Sequence, residues 1–173
     1  GTALTFSLPH DQVFDEVHRS NMTKTPGGLH PKGESWEPPI IAPILEKNVE
    51  LVLMGPGPPE IIERLHTIEQ TFAGRCRVIE GYDVSTAHTL LAGADMLLLP
   101  GHYHATNALA AIAMRYGVVP IAYAHSGLED TLVDLDASPK KGTGLLFERY
   151  EPAALVESVD IGRNLYKKAT DWK

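Results

Sequence analysis

Met96-Leu97-Leu98-Leu99-Pro100-Gly101-His102-Tyr103-His104-Ala105-Thr106-Asn107-Ala108-Leu109, running on to Ala113-Met114-Arg115-Tyr116-Gly117, decides the fold. An apolar run closed by Pro-Gly reads as a short central strand. Thr106 or Asn107 carries the side-chain oxygen that accepts from an orphan amide in the first turn of a helix, and Gly117 is the residue type expected at a helix end. Strand, loop and helix in that order make a βα unit, and the pattern continues on both sides of it.

Upstream, Val49-Glu50-Leu51-Val52-Leu53-Met54 is a buried-type strand closed by Gly55-Pro56-Gly57-Pro58-Pro59. Ile61, Ile62, Leu65, Ile68 and Phe72 then recur at helical spacing. Cys76 to Ile79 is the next strand and residues 85–92 a short helix. Downstream, Val118 to Ala122 and Gly144 to Phe147 are further strands, and a helix begins near Pro152. Such alternation predicts an α/β fold, a Rossmann-like parallel sheet with helices on both faces, over residues 38–173. Residues 1–37 form an irregular segment with a possible first strand at Ala3 to Leu8, broken by Pro26-Gly27-Gly28 and Pro31. Ligands of such sheets sit beyond the carboxyl ends of the strands, which singles out loops 27–33, 55–59, 81–84, 101–107 and 124–128.

The chain has 173 residues, enough for one sizeable core, and 43% of them are hydrophobic against 21% charged. Its net charge of −7 creates no field favouring nucleic acid or an anionic membrane, so neither is an expected partner and a phosphate site must be built locally. Cys76 is the single cysteine. It excludes an internal disulfide and a cysteine-based zinc cluster, reads as a small buried hydrophobe, and fits a reducing compartment, cytoplasmic or plastid-like. No apolar run reaches the length of a membrane span. His102 and His104 share a loop without a paired carboxylate, so no metal is expected.

The segment from Leu99 to Gly117 resembles the donor-site loop and helix of bacterial glycogen synthases and plant starch synthases. Gly81-Tyr82-Asp83 with Ala87-His88 and Ala92-Gly93-Ala94-Asp95 resembles that family's run from adenine-site loop to central strand. Ser126-Gly127-Leu128-Glu129-Asp130-Thr131 is similar to its Gly-Gly-Leu-x-Asp-Thr turn, and Gly142-Thr143-Gly144-Leu145-Leu146-Phe147 to its terminal Gly-Thr-Gly-Phe-x-Phe strand. Lys32-Gly33 stands as the family's Lys-Gly does before the strand that here begins at Val49. Order and spacing agree together.

The resemblance implies the C-terminal, nucleotide-sugar half of a GT-B glycosyltransferase that transfers glucose from ADP-glucose to an α-1,4-glucan with retention. It implies that Tyr82 stacks on a nucleobase, that Lys32 neutralises diphosphate, and that the amides of Thr106, Asn107, Ala108 and Leu109 at a helix start hold it. Ser126 and Gly127 complete the nucleotide-sugar set. No cofactor is implied. The family carries an acidic residue followed by Pro-Cys-Gly-Leu where this chain has His104-Ala105-Thr106-Asn107-Ala108. An imidazole cannot supply a fixed negative charge beside a developing oxocarbenium-like centre. The expected function is therefore a donor domain binding ADP or ADP-glucose, inactive in glucosyl transfer as an isolated chain, with no other catalytic residue assigned. Two alternatives stand beside it. One is a degenerate interaction module binding a protein or an α-glucan, and the other is half of an active glucosyltransferase completed by a separate acceptor domain. His88 reads as structural, and Asp83, Asp95 and Asp130 as helix caps near strand ends.

Overall fold

A computed structural model describes residues 2–7, 41–101, 108–138 and 140–168. Its elements in chain order are β1 (Thr2–Ser7), α1 (Ile41–Leu45), β2 (Val49–Gly55), α2 (Pro59–Thr71), β3 (Cys76–Glu80), α3 (Val84–Gly93), β4 (Met96–Leu99), α4 (Ala108–Arg115), β5 (Val119–Tyr123), β6 (Leu145–Phe147) and α5 (Pro152–Lys167). The strands lie in the order β3-β2-β1-β4-β5-β6, and every pairing between them is parallel. β1 is thus central, with Phe6 opposite Leu53 on one side and Leu98 on the other. The α/β Rossmann-like architecture read from the sequence is the observed one. Helix α1 was not among the expected elements, because five residues around Pro43 carry too little periodicity to be seen.

Side chains on β4 alternate between the two layers. Met96 and Leu98 join Ile44, Leu45, Leu65, Leu155 and Val159 from α1, α2 and α5, whereas Leu97 and Leu99 join Leu91, Ala110 and Ala113 from α3 and α4. All four β4 side chains are buried, which is why that strand is continuously apolar. Gly162 of α5 lies so close to this strand that an added Cβ would stand 3.0 Å from Met96 Sδ.

Local chemistry sets the ends. Pro58 and Pro59 begin α2, where a proline ring fits because the first-turn amides have no helical acceptor. α4 closes at Gly117 with φ +77°, its amide donating to Met114 O and that of Val118 to Ala113 O, a Schellman turn. No helix among the described residues is long and apolar enough to cross a membrane.

Candidate functional site

Strand order reverses between β1 and β4, so the crevice at their carboxyl ends is where this topology places a ligand. The chain leaves β1 into residues 8–40 and β4 into residues 102–107, and both stretches lie outside the described residues. Lys32, His104, Thr106 and Asn107, with the helix-cap roles of the last two, fall there. The described structure provides the two flanks of the crevice and the helix behind it.

On one flank, Gly81 has φ +80° and its amide donates to the Gly55 carbonyl at 3.0 Å, joining the loop after β3 to the proline-rich loop after β2. That bond extends the ladder in which Gly55 faces Glu80. Tyr82 follows the turn and is 58% exposed, with Val84 exposed beside it in sequence. Asp83 accepts from the Thr86 amide at 2.7 Å as the N-cap of α3, and the hydrogen bonds from Thr86 hold its carboxyl below the usual aspartate range. The aspartate serves as a cap, as its position in the sequence suggested.

The other flank is closed on itself. Ser126 is fully buried, its hydroxyl donating to the Tyr123 carbonyl at 2.6 Å. Gly127, at φ +89°, donates its amide to Glu129 Oε2 at 2.9 Å. Leu128 and Leu132 anchor the turn in the core beneath α4. The Gly142-Thr143-Gly144 motif is explained by close approach: a Cβ on Gly142 would lie 2.4 Å from Leu135 Cα, and one on Gly144 2.8 Å from Pro120 O. Asp134 accepts from the Leu146 amide at 3.2 Å, covering the outer edge of β6.

Behind the crevice, α4 runs back from the carboxyl edge, with Ala108 exposed at its start and Leu109 half-buried. Tyr82 and the start of α4 are thus brought to one edge of the sheet, while the Ser126 side chain is turned inward. Sequence reading passed over His125, which is exposed in the same loop and packs edge-on against Tyr123 at 5.5 Å. It also passed over Glu80 at the end of β3, which meets His66. Only the adjacency of Glu80 to Gly81-Tyr82 in the chain pointed there.

Most of the remaining candidates have structural work. His88 shares a 2.8 Å hydrogen bond with the Tyr116 hydroxyl at the end of α4. Asp95 precedes β4 at the amino edge, away from the crevice, and its charge and hydrogen bond push the Tyr166 hydroxyl above the usual tyrosine range. Asp130 lies exposed in the turn after Leu128, and because a strand is the next element after both Asp95 and Asp130, neither is the helix cap expected from the sequence. Cys76 is buried, and desolvation pushes its thiol up to about 11.

Comparison with known proteins agrees with this architecture. Residues 26–161 match the family described as "Glycosyl transferases group 1". The chain is 33% identical over 129 residues to a glycogen synthase of Desulfatibacillum aliphaticivorans, covering 75% of this chain and 27% of that protein. It is 29% identical over 169 residues to a glycogen synthase of Anoxybacillus flavithermus, covering 97% of this chain and 34% of the relative. The catalytic domain of starch synthase IV from Arabidopsis thaliana, solved bound to ADP and acarbose, superposes with a TM-score of 0.74 at 24% identity, covering 99% of this chain and 32% of that one. The chain therefore spans about a quarter to a third of the length of these relatives. With its doubly wound sheet and a sequence match across most of its length, the chain belongs to the group 1 glycosyl transferases, as a glycogen/starch-synthase-like domain of the GT-B fold.

Proposed function

We propose that this domain holds ADP or ADP-glucose across the carboxyl edge of its sheet, as a glycogen/starch-synthase-like donor domain. The observation that carries the reading is Tyr82, an exposed aromatic ring on a turn locked by the Gly81–Gly55 hydrogen bond, at the same sheet edge as the start of α4. From β3, which Tyr82 follows, to β5, which Ser126 follows, are four inter-strand steps of ~4.8 Å, or roughly 19 Å. An extended ligand with a base at one end, a diphosphate in the middle and a sugar at the other suits such a span. The base stacks on Tyr82, and the diphosphate meets the amides from Thr106 to Leu109 with Lys32 as countercharge. Because the Ser126 hydroxyl and the Gly127 amide have internal partners, their part is to shape the far flank.

The ADP in the starch synthase IV structure supports the choice of nucleotide. Replacement of the family's acidic residue by His104 supports the further proposal that glucosyl transfer is lost, since a fixed charge at the sugar is missing. Calorimetric titration with ADP and ADP-glucose tests the binding reading. Binding at about millimolar Kd or tighter that weakens on Tyr82→Ala is expected, and silence with both ligands rejects it. Transfer to an α-glucan by the unaltered chain, supplied with an acceptor half, would reject the proposed inactivity.

A further inference from the structure

The carboxyl end of β3 is held by more than its ladder. β3 is an edge strand whose partner within the sheet is β2, and it ends at Glu80, the residue before the Gly81-Tyr82 turn. The Glu80 carboxylate lies 2.9 Å from His66 Nε2 on α2, and the opposite ring nitrogen, Nδ1, lies 2.9 Å from Glu69 Oε2. Glu69 is fixed in turn by Arg77 at 2.9 Å and by the Val78 amide at 3.3 Å. Among the described residues, the charged groups bonded to His66 are Glu69 of its own helix and Glu80 of β3, with Arg77 of β3 on the far side of Glu69.

The two ring nitrogens point away from each other, each at a carboxylate. A carboxylate only accepts hydrogen bonds, and a neutral imidazole donates from one nitrogen alone; only the imidazolium donates from both. With a neutral ring, one carboxylate faces a lone pair and that link is lost.

We propose that Glu69, His66 and Glu80 form a proton-dependent clasp that positions the Gly81-Tyr82 turn, so that nucleotide affinity declines as His66 loses its proton. His66 and Glu80 are positioning residues, acting through Tyr82. The clasp rests on the nucleotide reading above for its effect on affinity, while its effect on the turn stands independently. Consistent with the geometry, both carboxylates raise the His66 pKa above the ordinary histidine value, Glu80 most.

ADP-glucose is the suitable probe, because its diphosphate is esterified at both ends and has no proton to lose near neutrality. It is titrated calorimetrically into the unaltered chain, His66→Gln and Glu80→Gln from about pH 5.5 to about pH 8.5, bracketing histidine titration. The unaltered chain is expected to lose about two- to fivefold in affinity beyond any change in the two variants, the scale of an exposed ion pair. Superimposable pH profiles with binding present overturn the clasp and leave the nucleotide reading standing. No binding by the unaltered chain at any pH overturns the nucleotide reading and the affinity effect together. Hydrogen exchange at the Gly81 amide in the ligand-free chain, normalised to intrinsic rates, decides the clasp separately. Protection that falls as His66 deprotonates supports it, and equal protection on both sides of that titration overturns it.

Discussion

The two flanks of the crevice carry motif matches of similar quality and put them to different uses. After β3, the Gly81-Tyr82-Asp83 turn spends one glycine on a positive φ and one aspartate on a helix cap, leaving the Tyr82 ring open. After β5, the Ser126-Gly127 turn and the Gly142-Thr143-Gly144 stretch are absorbed by the fold, in a buried hydrogen bond from Ser126, a local one from Gly127 and backbone contacts too close for a Cβ. A motif thus marks a place where backbone geometry is demanding, and only the local packing says whether that demand comes from a ligand or from the chain itself.

Substitutions on the closed flank should act on stability alone. We predict the largest effect for Gly142→Ala, whose new Cβ meets the Leu135 backbone. A loss of about 3 kcal/mol, at the upper end of overpacking, is expected in chemical denaturation, and a midpoint unchanged from the parent would break the contrast. Ser126→Ala removes the buried donor to the Tyr123 carbonyl, which keeps the Ser126 amide at 3.2 Å. It should cost about 1 kcal/mol by the same measurement, with ADP affinity of the folded protein preserved. A large affinity loss at intact stability would instead make Ser126 a ligand contact.

On the open flank the pattern inverts. Tyr82→Ala should leave stability within about 0.5 kcal/mol, yet weaken ADP binding by about 1 kcal/mol, roughly fivefold, as read by calorimetry. Equal losses in both would merge the flanks into one class. The smallest effect is expected from His66. Its proton is held more tightly in the folded chain, so its stabilisation is complete below the ordinary histidine value and disappears as pH rises through the raised one. The thermal midpoint of the unaltered chain should decline through that window relative to His66→Gln, and parallel curves would remove the clasp from the energetics.

Much of the fold was readable because burial on two faces leaves a coarse trace. The four-residue run of β4, the stripe of Leu65 and Ile68 on α2, and the glycine that ends α4 each record one local physical demand. The Tyr82 flank was legible to the same degree, since Gly81 and Asp83 punctuate the chain on either side of that ring. Glu80 and His66 were not, because they stand fourteen positions apart in the chain and their meeting depends on how α2 lies along β3. The inward turn of Ser126 was hidden for a similar reason: a serine beside a glycine in a loop looks the same whether its hydroxyl meets solvent or the Tyr123 carbonyl.

The sequence by itself determined the alternation of strands and helices, the family resemblance and the edge of the sheet where a ligand belongs, because periodicity and turn chemistry are local. Only the tertiary structure decided that β1 lies at the centre of the sheet, that Tyr82 stands exposed while Ser126 is consumed, and that a histidine bridges two carboxylates beside the Gly81-Tyr82 turn. Those outcomes depend on strand order and on distances between residues remote in the chain, which no local pattern encodes.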